Sequence, residues 1–137
     1  MSAFTSLLKH SREFIRLTDD LQTGRTPLGL LGLSGVQKAH WISAVCAVLG
    51  KKALVLCPDE AHAVKLCADL NLFSEKAAVY PARDFHFRTT DSCSREYEQQ
   101  RIGVLRNVLD GGCDFVLCSV DAAMQHTLPK KTLLSQV

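Results

Sequence analysis

The chain has 137 residues, 47% of them hydrophobic and 22% charged, with a net charge of +2 from 16 basic and 14 acidic side chains. That is enough apolar side chain for one packed domain. The near-balance of charge excludes the broad basic footprint of a nucleic-acid-binding domain, and no run approaches the roughly 18 apolar residues of a membrane span.

The N-terminus, MSAFTSLLKHSREF, has no apolar h-region, so no signal or transit peptide is expected. Six cysteines (Cys46, Cys57, Cys67, Cys93, Cys113 and Cys118) form no C-x-x-C pair and no zinc-type spacing with histidine. Cys57 and Cys118 sit inside the apolar runs ALVLC and FVLC, and Cys46 and Cys67 on helical patterns. Reduced, buried thiols in a cytoplasmic protein are expected, with Cys93 the most exposed.

In chain order, Leu7, Leu8, Phe14, Ile15 and Leu17 among charges predict an amphipathic helix over 4–20, closed by Gly24 and Pro27. Residues 1–24 thus form an N-terminal helical segment ahead of a core at 25–137. PLGLLGL, 27–33, is a short apolar run and a buried-strand candidate. VQKAHWISAVCAVL, 36–49, is too long for a strand and predicts a helix covered on most sides, with Gly50 as its C-terminal cap. KKALVLC, 51–57, predicts a second buried strand. Pro58 and Asp59 open a helix over 59–75 whose polar stripe is His62, Lys65 and Asp69.

AAVYP, 77–81, predicts a third strand, and ARDFHFRTTDSC a loop. Residues 94–110 predict a helix with Ile102, Leu105, Val108 and Leu109 inward and Arg95, Gln99, Arg101 and Arg106 on a solvated face balanced by Glu96 and Glu98. Two glycines end it, DFVLCS gives a fourth buried strand, and DAAMQ a short helix before Pro129. KKTLLSQV is a further apolar run, which suggests a fragment of a longer protein. Uniformly apolar strands alternating with helices predict an α/β fold: three α/β/α layers around a mostly parallel sheet, with no repeat or linker and a single domain over 1–137.

GLSGVQKA, 32–39, falls between a predicted strand and a helix, where the phosphate-binding P-loop pattern G-x-x-x-x-G-K-[ST] stands. Gly32 matches its first glycine and Lys38 its lysine, and Gly35 adds freedom within the loop. The second glycine is replaced by Gln37 and the hydroxyl residue by Ala39. A side chain at 37 stands where backbone must approach phosphate, and alanine cannot bind the Mg²⁺ that neutralises a nucleotide. No strand ends in a convincing metal-binding acid. Three readings follow: a degenerate Walker A in a P-loop NTPase-like fold, a working NTPase, or coincidence. Separately, Phe85, His86, Phe87 and Arg88, with Arg83 and Arg95 nearby, are either a stacking platform for nucleic acid or a loop tucked onto the domain. The scattered histidines form no nucleophile arrangement, and no metal site is expected.

The order of SLLKHSREFIRLTDDLQTGRTPLGLLGLSGVQKAHWISAV, ALVLCPDEAHAVKLCADLNLF, VYPARDFHF, SREYEQQRIGVLRNVLDG and FVLCSVDAAMQHTLP resembles the first N-terminal subdomain of the bacterial transcription-repair coupling factors, the Mfd family. That subdomain is similar to the first helicase-like lobe of the excision-repair protein UvrB, without a functional ATP site. The resemblance implies that Gly32, Gly35 and Lys38 are vestiges of an intact Walker A. It implies a non-catalytic scaffold contributing to UvrA recruitment, chiefly through the subdomain that follows. ATP, Mg²⁺, DNA and RNA polymerase are then handled by other modules of a full-length translocase. UvrB carries a long damage-gripping hairpin between the third strand and the next helix. Here PARDFHFRTTDSC is too short for one. The alternatives are an active P-loop NTPase and a DNA-binding helicase lobe using Arg83, Phe85, Phe87, Arg88 and Arg95.

Overall fold

The computed structural model describes residues 7–83 and 93–135, with side chains from 96 onward in the second stretch. Residues 7–8 are helical and a turn follows; the helix α1 (Arg12–Gln22) then starts at Ser11, whose Oγ accepts the Phe14 N–H at 3.4 Å. Its buried face is Phe14, Leu17 and Thr18, whereas Leu7 and Ile15 are exposed. Phe14 meets Trp41 edge-on, ring centroids 5.6 Å apart, and so anchors α1 to α2 (Gly35–Leu49). As expected, Gly50 closes α2 in the left-handed region, φ 61°, with its N–H on the Cys46 carbonyl.

Residues 27–33 correct the sequence reading. No strand forms there, and Leu28, Leu30 and Leu31 are exposed, Leu31 at 96%. Pro27 cannot donate to a ladder, Gly29 and Gly32 weaken any strand, and Gly32 stands at φ 83°, outside the extended region. Leucine alternating with glycine supplied the apolar signal without the backbone preference.

The described sheet has three strands, β1 (Ala53–Cys57), β2 (Ala77–Val79) and β3 (Phe115–Ser119), all parallel, in the order β1-β3-β2. Val55 and Val79 both register with Leu117. Asp59 caps α3 (Glu60–Asn71), accepting the His62 N–H at 2.8 Å. Asn71 at its other end clamps the Ala77 backbone, accepting its N–H at 3.0 Å and donating to its carbonyl at 3.2 Å. Ala63, Cys67 and Leu70 of α3, with Ala39 of α2, pack on one sheet face against Cys57, Phe115 and Leu117. Strand alternation brings Ala53, Val55, Ala77 and Val79 to that face too.

The other face is served by α4 (Cys93–Leu109) and α5 (Val120–Met124). Tyr80, Cys118 and Ala122 are buried there, with Val104, Leu105 and Val116 against them. Coverage stops short of β1, whose Leu54 and Leu56 remain 68% and 57% exposed. The inward line of α4 also differs from the expectation. Arg101, Val104, Leu105 and Val108 are its more buried residues, at i, i+3, i+4 and i+7, whereas Ile102 and Leu109 are exposed. Arg101 is therefore interior. A last short helix, α6 (Lys130–Leu134), buries Leu133.

Leu117 is fully buried at the centre of the central strand. Leu117→Ala is expected to lower the unfolding free energy by about 2–5 kcal/mol, the range for truncating a buried leucine. Urea denaturation followed by Trp41 fluorescence measures it; a loss below about 1 kcal/mol would show that this layer packs otherwise.

Candidate functional site

The segment 32–39 forms a loop entering the N-terminus of α2, with Gly32 (φ 83°) and Gly35 (φ 39°) in conformations that favour glycine. Free N–H groups at such a helix start attract anions. Here the chain caps itself. Gln37 Oε1 accepts from the Ser34 backbone N–H at 3.2 Å and from Ser34 Oγ at 3.3 Å, while the Gln37 N–H bonds the Ser34 carbonyl at 2.9 Å. The side chain at the position of the second P-loop glycine is thus a helix cap.

Ala39 is fully buried in the core cluster with Cys57, Ala63 and Leu117. It lies away from solvent and has no side-chain oxygen with which to hold the Mg²⁺ that a P-loop hydroxyl holds. Lys38 is exposed and, among the described residues, makes no hydrogen bond or ion pair. It lines a hollow of about 820 Å³ between the 28–33 segment, α2, α3 and the end of β1. Besides Lys38, the charged or titratable lining is His62, Lys65, Asp69 and the thiols of Cys46 and Cys57; most of the rest is aliphatic, with Trp41. Such a wall suits apolar contact better than a triphosphate.

Of the second group of candidates, Arg83 is not among the residues that line this hollow. Arg83 lies where the chain leaves β2, pairing with Glu98 Oε1 at 3.7 Å. Its Nε is buried and has no hydrogen-bond partner among the described residues. Phe85, Phe87 and Arg88 lie outside the described residues, and so does the Arg95 side chain.

Sequence reasoning missed the most connected polar cluster. Arg101, 3% exposed, donates from Nη1 to the Pro81 carbonyl at 2.7 Å and to Gln125 Oε1 at 3.2 Å, with the Ala122 carbonyl at 3.4 Å. Its Nη2 reaches the His126 carbonyl at 3.5 Å. The guanidinium carbon lies 4.0 Å from the Tyr80 ring centre. Burial pulls the guanidinium pKa below its ordinary value, and Tyr80 opposes that shift. The signal was present in the helical spacing 101, 104, 105, 108; charge count alone put Arg101 outside.

Burial pushes the thiols of Cys46, Cys57, Cys67, Cys113 and Cys118 up from their ordinary value, so none is a ready nucleophile. Among the described residues no cluster of His, Cys, Asp or Glu could hold a metal ion, and no helix is long and apolar enough to cross a membrane.

The architecture defines the class as an α/β domain with a small parallel sheet and helices on both faces. Within that class, the chain is similar to UvrABC system protein B from several bacteria. It is 30% identical to the Thermus thermophilus protein over 77% of this chain, and 26% identical to that of Prochlorococcus marinus over 89%. The protein from Actinobacillus pleuropneumoniae is 28% identical over 78%. The chain spans about a fifth of the length of these relatives, between 18% and 20%. No family model matches the chain, and no solved structure matches it significantly.

Asp59 gives this region a pH dependence. The His62 backbone N–H, then the His62 ring, then further polar contacts hold its carboxyl below the usual aspartate value. A carboxylate whose pKa is lower folded than unfolded stabilises the fold above the unfolded value, near 3.9, and loses that contribution as pH falls through the folded value. Asp59→Asn is therefore expected to narrow the stability difference between pH 7 and acid, read as melting temperature against pH. Parallel curves for the two proteins would refute the capping role.

Proposed function

We propose that this chain is a UvrB-like domain acting in nucleotide excision repair as a scaffold, without nucleotide chemistry of its own. The observation that carries the reading is the similarity to UvrABC system protein B along most of the chain. The self-capped entry to α2 and the buried Ala39 support the non-catalytic part. Lys38 then stays as an exposed vestige of a Walker A lysine, and Gly32 and Gly35 serve the turn into α2. The name of the relatives points to the UvrABC system, so UvrA is the expected partner.

The finer reading rests on the sequence resemblance described above. In it the domain is the first subdomain of a transcription-repair coupling factor of the cytoplasm, helping to position a neighbouring UvrA-binding subdomain. ATP, Mg²⁺, DNA and RNA polymerase belong to other modules of that protein. The short interval between β2 and α4 supports a lobe without a damage-gripping hairpin.

Two measurements test the reading. Nucleotide present at 100 times its dissociation constant would stabilise the fold by roughly 2.7 kcal/mol. Mg-ATP is expected to leave the melting temperature of the chain unchanged, before and after Lys38→Ala. A shift that Lys38→Ala removes would establish a live nucleotide site. In the second measurement, surface plasmon resonance against immobilised UvrA should show binding by the full-length protein that carries this domain. No response from the full-length protein would overturn the repair assignment.

A further inference from the structure

Arg101 carries an inference independent of the repair assignment. Two segments leave the carboxyl edge of the sheet: 80–83 from β2 and 120–127 from β3. Past Tyr80, whose N–H bonds the Leu117 carbonyl at 2.7 Å, side chains replace the ladder between them. Gln125 brackets Arg83, accepting its N–H at 2.6 Å and donating from Nε2 to its carbonyl at 3.2 Å. The Tyr80 hydroxyl donates to Thr127 Oγ1 at 2.9 Å. Arg101, arriving from α4, holds carbonyls of both segments and the Gln125 amide at once.

Among the described residues no carboxylate pairs with this buried guanidinium. Its bonds go to backbone carbonyls and one amide, so it fixes the path of two chain segments. A planar fork can span them; a lysine ammonium, a single point with three donors, cannot reach the same set.

We propose that Arg101 is a latch: with it engaged, 80–83, α4 and 122–127 are one locked unit, and with it withdrawn, that unit opens by itself. The α2–α3 layer on the opposite sheet face stays packed, because its cluster shares no residue with the one around Tyr80 and Cys118. Local opening of this kind is the behaviour of cooperative sub-units within a fold.

Two amides separate latch opening from global unfolding. The Arg83 N–H bonds the Gln125 side chain, whereas the Ala53 N–H bonds the Asp114 carbonyl at 2.9 Å at the start of the sheet. In Arg101→Lys, hydrogen exchange at Arg83 is expected to accelerate at least about tenfold while Ala53 exchange and the Trp41 unfolding midpoint stay unchanged. Should Arg101→Lys not fold, native-state hydrogen exchange of the unaltered protein in low urea decides: Arg83 is expected to exchange through an opening with a smaller urea dependence than that of Ala53, and equal urea dependence at the two amides would overturn the proposal. Unchanged Arg83 exchange in a folded variant would overturn the proposal. So would equal acceleration at Arg83 and Ala53, because the two regions would then open together.

Discussion

The parallel ladder on both sides of β3 is the constraint on which the rest depends. Leu117 registers with Val55 on one side and Val79 on the other, so the central strand fixes both neighbours. Parallel strands need a covering crossover. The connection from β1 to β2 is α3, which places Ala63, Cys67 and Leu70 on one face; the connection from β2 to β3 is α4, which places Val104 and Leu105 on the other. The order β1-β3-β2 puts the last strand between the earlier two. Neither edge can therefore be completed until Phe115–Ser119 is in place, and both helical layers rest on that late segment.

The layers are unequal. On the first face, small residues let α2 and α3 approach closely: Ala39 and Ala63 are fully buried against the strands. This explains Ala39 without reference to nucleotide. A hydroxyl there would need a partner inside an apolar cluster, where an unsatisfied one costs about 1–3 kcal/mol. The same position that a P-loop would give to a metal ligand is here a close-packing contact. Two positions away, Gln37 supplies the cap that a phosphate would otherwise provide. The two departures act together, one closing the entry of α2 and the other seating its first turn on the core.

How much of this was legible in the sequence follows from which signal each element carries. ALVLC and FVLC were readable because uninterrupted apolar runs bounded by polar residues have few other solutions in a chain of this size. Asp59 and Gly50 were readable because capping chemistry is local. PLGLLGL failed because hydrophobicity and backbone preference disagree there: the leucines call for burial while Pro27, Gly29 and Gly32 resist a ladder. Ser11 was overlooked as a cap because apolar residues occur on both sides of it. In the candidate site, the departures from the P-loop pattern at 37 and 39 were readable from residue identity. That Gln37 bonds Ser34 was not, since the pairing depends on how the loop enters the helix.

Arg101 shows why a buried charge is the hardest feature to infer from sequence. Arginine inside a protein usually implies a carboxylate, and charge counting on α4 supplied two nearby glutamates that made a solvated face look sufficient. The structure settles the cost of burial differently. The Pro81 carbonyl past β2 and the Ala122 carbonyl in α5 lie outside the strand ladders, and each needs a donor. One guanidinium, further favoured by the Tyr80 ring, supplies donors to both segments, so desolvating the cation and satisfying the carbonyls are met by the same contacts. A carboxylate in its place of contact would compete for those donors and release the carbonyls. Among the described residues the guanidinium is thus committed to backbone carbonyls and the Gln125 amide.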